Sequence, residues 1–280
     1  MLIKTKNLLT TLVVAGITAF ASQASATTYV AGDLLLGFRA SGGTGASSNL
    51  IVNLGQADTV YRDATSNILS VVDIGTLLTA TYGAGWDTRN DLFWGVVGVR
   101  SPAASGAAVD GDPVRTSYAT AAQTGTLVPG ESGHSTPWSV ATGTTRASIA
   151  VAIDSMATNY NNFSAAVTNT AVMPNNVGNT WSTNNNGVNS FGLPGTVEGS
   201  FANGASGTAL DLYRILNTTS GASPTGTVGV GSWEGTFTIS DTGVVGFSVT
   251  AVPEPSRALL AGLGLAGIAF RRRRTVKKTA

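Results

Sequence analysis

Between residues 27 and 250 short apolar runs alternate with clusters of Gly, Ser, Thr and Asn. Short apolar runs bounded by turn-forming residues are the pattern of β-strands. Six such runs stand out, at 29–38, 50–54, 91–100, 209–216, 232–239 and 244–250. The last two flank Ser240-Asp241-Thr242-Gly243, where Gly supplies positive φ, so they are expected to form a hairpin. In that hairpin Trp233, Gly235, Phe237 and Ile239 fall on one face at period two, opposite Val245, Phe247 and Val249. Runs 29–38 and 50–54 are expected to pair across 40–48. Two segments read as helices. Residues 68–82 offer Leu69, Val72, Leu77 and Leu78 to one side and end at Gly83; residues 145–160 repeat Ile149, Ile153, Met156 and Tyr160 at helical spacing. From 161 to 207 Asn, Gly, Ser and Thr dominate, which predicts long loops or short irregular strands. The pattern predicts a mainly β fold, a β-sandwich or jelly-roll-like single domain with one or two short packed helices, and shows no internal repeat.

The two ends of the chain have a different character. Lys4 and Lys6 precede an apolar run from Leu8 to Phe20, and Ala24-Ser25-Ala26 supplies small residues for cleavage after Ala26. This is the order of a secretory signal peptide, read by the translocon and by signal peptidase. At the other end Pro253 and Pro255 fix their own φ and hold their neighbours extended, with Glu254 as the charge between them. Residues 258–270 then run 13 positions without a charge. As a helix these span roughly 20 Å, short of the ~30 Å hydrocarbon core. Arg271, Arg272, Arg273 and Arg274, followed by Lys277 and Lys278, hold such a helix with its C-terminus on the cytoplasmic side. The expected organisation is a signal peptide at 1–26, an exported β-rich body at 27–250 and a terminal signal at 251–280 with a short transmembrane helix.

Val252-Pro253-Glu254-Pro255-Ser256, an apolar stretch and a terminal Arg cluster together resemble the PEP-CTERM sorting signal of Gram-negative bacteria. The resemblance covers about a tenth of the chain. It implies that the membrane enzyme exosortase recognises Pro253-Glu254-Pro255 and processes the tail. It also implies a cell that makes exopolysaccharide and a destination at the cell surface or in the extracellular matrix. The segments Asp33-Leu-Leu-Leu-Gly-Phe-Arg39 and Asn49-Leu-Ile-Val-Asn-Leu-Gly55 are similar to those of other cargo proteins with this signal.

Charge changes meaning once the ends are set aside. The chain is nominally +1, from 16 basic and 15 acidic residues. Two cations belong to the signal and seven to the tail from Arg257 onward, which leaves the body seven arginines, no lysine and 14 acids. A body near −7 does not attract nucleic acid or anionic lipid through bulk charge. The absence of cysteine excludes disulfides, thiol catalysis and thiolate metal sites, and the length suffices for a self-supporting core.

The inventory of catalytic groups is thin. His134 is the only histidine and no nucleophile elbow surrounds any serine, so a serine hydrolase lacks its parts. A zinc site without cysteine would need several histidines. Asp110-Gly111-Asp112 places hard oxygen ligands together as calcium requires, although short acidic turns are common for backbone reasons alone. Trp138 and Trp181 lie in polar stretches and are candidates for stacking on sugar faces. The sequence therefore predicts a non-enzymatic exported protein, structural or adhesive in an exopolysaccharide matrix, without cofactor. The alternatives are an exported polysaccharide hydrolase with paired carboxylates, and an adhesin stabilised by Ca2+ through Asp110 and Asp112.

Overall fold

The computed structural model describes residues 28–101, 111–123, 141–164, 169–185, 190–193, 195–204, 208–217 and 228–249. Both terminal signals lie outside the described residues, as do the segments that carry Asp110, His134 and Trp138. The first two strands, β1 (Asp33–Ala40) and β2 (Ser48–Gln56), form the expected antiparallel hairpin. A one-turn helix α1 (Ala57–Val60) follows, then β3 (Ile68–Asp73) and helix α2 (Gly75–Tyr82). Next come β4 (Leu92–Arg100), β5 (Thr116–Ala122) and the 21-residue helix α3 (Gly143–Phe163). The chain continues through β6 (Thr170–Pro174), the short helix α4 (Trp181–Asn184) and β7 (Glu198–Ser200). It closes with β8 (Ala209–Ile215), β9 (Gly231–Ile239) and β10 (Val244–Ser248).

These ten strands make one sheet in the order β3-β10-β9-β8-β5-β4-β1-β2-β6, with β7 beside β4, and every pairing is antiparallel. The mainly β architecture expected from the sequence is present. Its facing layers come from the two ends of a single curled sheet. Tyr61, just beyond β2, packs its ring against Phe237 of β9 and Phe247 of β10 at centroid distances of 5.4 and 5.1 Å. Alternation along each strand then sorts side chains to two cores. Leu34, Leu36 and Phe38 of β1 enter the concave core with Trp94, Leu212, Phe237 and Phe247. Leu35 turns to the opposite face, which α3 covers with Ile149, Ile153, Met156 and Tyr160. These are the helix positions the periodicity picked out, and Thr142 caps the helix by accepting a hydrogen bond from the Thr145 amide.

Two sequence expectations are corrected. Residues 68–82 do not form one helix: Ile68–Asp73 is an edge strand on β10, and the helix begins only at Gly75. The β-branched Ile68, Val71 and Val72 suit a strand, and Leu69, offered above to a helical core face, is 87% exposed. Gly75 permits the break, because a Cβ there would stand 2.0 Å from the Thr242 carbonyl oxygen. Gly83 does end the helix, with φ 89° and its amide donating to Thr79 O. The second correction concerns β9. A register shift against β8 leaves Glu234 as an extra residue between Gly235, which faces Leu212, and Trp233, which faces Tyr213. That bulge moves Trp233 to the helix-covered face, away from Phe237 and Ile239.

Candidate functional site

The last strand leads directly into the C-terminal signal. Phe247 anchors β10 by packing against Phe237 at a centroid distance of 4.8 Å, and a Cβ on Gly235 would stand 2.3 Å from its ring. At the strand's end the Ser248 hydroxyl and the Val249 amide both donate to Asn67 Oδ1, at 3.1 and 3.0 Å. Residues 250–252 alone separate this fixed point from Pro253. The N-terminal junction is pinned in the same manner. The Tyr29 amide donates to Asn161 Oδ1 at 2.8 Å and its hydroxyl to Val99 O at 3.1 Å. Buried Asp33 gathers the Val30 amide and the side-chain amides of Asn53 and Gln56. Both processing sites expected from the sequence thus adjoin rigid structure.

Charged groups inside the body form two clusters that sequence spacing did not disclose. In the first, Glu198 accepts two hydrogen bonds from Arg39 Nε, at 2.9 and 3.0 Å, and one from Nη2 at 2.6 Å. Its Oε1 also accepts the indole N–H of Trp181 at 2.7 Å. Trp181 is fully buried, stacked edge-on against Phe191 with its ring over Gly37. This corrects its candidacy as an exposed sugar platform: its aromatic face is committed to the core.

The second cluster plugs one end of the concave core. Asp112, the surviving half of the calcium candidate, is buried and accepts from the Tyr118 hydroxyl at 2.5 Å. Arg62 Nη1 lies 3.3 Å and Arg214 Nε 3.8 Å from its Oδ1. Two guanidinium groups here occupy the surroundings where a divalent cation would need further oxygens. Among the described residues no group of three or more His, Asp or Glu is placed to hold a metal. Glu234, the bulge residue, lies 3.7 Å from the same Arg214 Nε, and its Oε2 accepts the Asp63 amide at 3.4 Å. Asp112 and Glu234 are therefore two inward carboxylates, but one guanidinium sits between them. The clue available in the sequence was scarcity: seven arginines in a lysine-free body leave few cations to neutralise buried acids.

Burial pushes the Glu234 carboxyl up to about 7 against the opposing influence of Arg214, while Asp63 and Asp112 reinforce the rise. Folded protein then retains a proton that the unfolded chain releases near the ordinary value of 4.5. The stability held by this proton is complete below that value and is lost as pH rises through about 7. Glu234→Gln, permanently neutral, should therefore flatten the melting profile between these limits. Melting temperatures of both proteins across this range, if they fall in parallel, overturn the assignment.

The family model of the PEP-CTERM protein-sorting motif matches residues 251–274. No curated protein matches the chain, and no solved structure does. Among the described residues no helix is long and apolar enough to cross a membrane; the apolar stretch 258–270 lies outside them.

Proposed function

From a chain that is a PEP-CTERM sorting-domain protein, exported and membrane-anchored until exosortase processes it, we propose that the mature body is a non-enzymatic structural or adhesive component of the cell surface or of an exopolysaccharide matrix. The observation that carries the reading is the sorting motif at 251–274, which begins two residues beyond the pinned amide of Val249. The internal chemistry is in keeping with it. Asp33 is held by amides, Asp112 lies beside Tyr118 and two arginines, Glu198 is held by Arg39 and Trp181, Asp211 accepts from Thr236, and Glu234 lies beside Arg214 and accepts the Asp63 amide. A polysaccharide hydrolase needs one carboxyl free to donate a proton and another to attack or to activate water. Glu198, hydrogen-bonded to Arg39 and Trp181, and Asp112, ion-paired with Arg62 and Arg214, are in keeping with packing roles.

Fractionation with intact-mass analysis tests the proposal. The expected product begins at Thr27, lacks the basic tail and is recovered with cell-surface or matrix polysaccharide without releasing reducing ends from it. Release of reducing ends by the purified protein overturns the non-enzymatic reading. Recovery in the inner membrane with residues 258–270 still attached overturns the destination.

A further inference from the structure

Asp112 precedes Pro113, and theirs is the one Asp–Pro bond in the chain. Proline carries no backbone N–H, so the nitrogen after Asp112 cannot attack the side chain to form a succinimide. The route left to the carboxyl is attack on its own main-chain carbonyl carbon, which closes a five-membered ring. The group expelled is the tertiary amide nitrogen of Pro113, which takes up a proton more readily than an ordinary peptide nitrogen. Asp–Pro bonds are therefore predisposed to break at this point when the carboxyl is held in a reactive state.

The fold supplies such a state. Asp112 and Pro113 are both buried just ahead of β5. The Tyr118 hydroxyl lies 2.5 Å from Oδ2 and fixes that oxygen. The other oxygen, Oδ1, is buried without a hydrogen bond, although Arg62 Nη1 and Arg214 Nε stand 3.3 and 3.8 Å away. Its lone pairs are left for attack, and two guanidinium groups favour the negative charge that develops on the adjacent carbonyl oxygen. Gly111 admits one of them, since a Cβ there would stand 3.0 Å from Arg62 Cζ. Backbone strain gathers at the same place. Asp63, Ser101 and Arg115 take φ of 56°, 45° and 63°, three of the five non-glycine residues with positive φ among the described residues. Ser101 and Arg115 bound the connection that contains the bond, and the Arg115 amide donates across it to Arg100 O and Ser101 O. Strain of this kind clusters where the surrounding structure enforces a functional geometry.

We propose that the Asp112–Pro113 peptide bond is a self-cleavage site, at which the Asp112 carboxyl severs the chain between β4 and β5. Oδ1 bonds to the Asp112 carbonyl carbon, the C–N bond to Pro113 breaks, and its electron pair stays on nitrogen. That nitrogen takes the proton of the Asp112 carboxyl, and the ring left behind is a cyclic anhydride. One water opens the anhydride, giving a chain that ends in Asp112 and another that begins at Pro113. Nothing is oxidised or reduced, and each molecule reacts once, so no substrate is turned over. The two pieces stay together, because β2 with β6, β3 with β10, and β4 with both β5 and β7 all pair across the cut. The body becomes a two-chain protein with one fold. The reacting form carries one proton on Asp112, and burial raises that carboxyl against the opposing influence of Tyr118, Arg62 and Arg214. Asp63 and Glu234 are the other charged groups around the cluster. Cleavage therefore accelerates as pH falls and slows as pH rises through the raised value.

The full-length chain, purified in detergent with protease inhibitors, is held at about pH 5 and about pH 8 and followed by denaturing electrophoresis and intact mass. At the lower pH two fragments should accumulate, one ending at Asp112 and one starting at Pro113, with masses that sum to the parent plus one water. At the higher pH they should form roughly tenfold more slowly or less, because each pH unit above the carboxyl's own value depletes its protonated form about tenfold. A chain that stays whole at both pH values, or a cut at any other bond, overturns the site. Unfolding concentrations of urea at the lower pH should stop the reaction by dispersing the cluster. Equal cleavage there assigns it to the dipeptide alone and overturns the role of the fold. Pro113→Ala keeps Asp112 and its partners and should lose both fragments; undiminished cleavage overturns the mechanism. Asp112→Asn should lose them too, and should melting against the parent show that variant misfolded, Pro113→Ala decides. Glu234→Gln should keep the pH dependence, and its disappearance would take the essential proton away from Asp112. On native gel filtration the cut protein should elute as one species, whereas halves that part without denaturant overturn the two-chain body.

Discussion

Replacing Pro253, Glu254 and Pro255 together with alanine should leave a full-length precursor in the inner membrane, where the parent chain yields a shorter product. Two effects act in the same direction. The prolines hold 252–255 extended, and an extended segment offers its backbone and the Glu254 carboxylate to an enzyme. Alanine, the best helix former, removes that restraint and lets the downstream helix grow backwards. A helix from Ala251 to Phe270 has 20 residues and spans about 30 Å, enough for the hydrocarbon core that the 13-residue stretch cannot cross unaided. The triple variant is thus both unrecognised and more firmly anchored. Glu254→Ala alone keeps both prolines and the short helix, so it isolates recognition. Precursor accumulation in both variants assigns the effect to recognition, and accumulation in the triple variant alone assigns it to anchoring. Processing of the triple variant at the parental rate sinks the sorting mechanism. Mass analysis of the membrane and external fractions reads all three outcomes.

The sequence disclosed those elements whose local pattern also carries their packing. Strands β1, β2, β4, β8, β9 and β10 each contain an apolar run, and each lies within a few residues of its expected place. Helix α3 was legible because one face is buried from Ile149 to Tyr160. Strand β5, Thr-Ser-Tyr-Ala-Thr-Ala-Ala, carried no such signal although it is central to the sheet. The buried Ser117, Tyr118 and Thr120 side chains have hydrogen-bond partners on neighbouring segments. Thr120 Oγ1 accepts the Val96 amide at 2.8 Å and lies 2.8 Å from the Val197 carbonyl oxygen, where β5 and β7 share the edge of β4. No window of sequence contains those partners. The edge strand β3 was hidden for the opposite reason, since its outward residues pack against nothing that would impose a period.

The two charged clusters show the same division. Asp112, Arg62 and Arg214 come from segments far apart in sequence, and the pairing of β5 with β8 and the fold of the sheet bring them together. The C-terminal sorting motif, by contrast, is a linear address that must work without folding. Its chemistry is readable from residue order alone. That contrast explains why the sorting of this protein is legible at the sequence level while the interior of its body is not.

Trp181→Ala should cost the body about 3–5 kcal/mol, a large part of the 5–15 kcal/mol that holds a typical domain. A tryptophan among Asn, Ser and Thr residues reads as exposed, and the reason it is buried lies in two glycines on other strands. Gly37 of β1 and Gly95 of β4 face each other directly in the sheet. A Cβ at Gly37 would stand 2.0 Å from the indole Cε3, and one at Gly95 would stand 3.1 Å from Cζ2. The paired glycines form a trough in the sheet surface, and the indole fills it. Thr180 fixes the approach through a capping box with Thr183, and Ser182 donates from its amide and hydroxyl to Asn49 Oδ1 on β2. Alanine at 181 empties a trough whose floor has no side chains with which to collapse, which places the loss toward the upper end of the range. It also takes one donor from Glu198 and leaves that buried carboxylate to Arg39 alone. Trp181→Phe keeps a six-membered ring in the trough but loses the N–H and part of the bicycle, so it should cost less than the alanine variant, about 1–3 kcal/mol. Urea unfolding of the purified proteins compares the two losses. A Trp181→Ala loss no greater than that of Trp181→Phe would show that the hydrogen bond to Glu198, and not the filling of the glycine trough, holds α4 on the sheet.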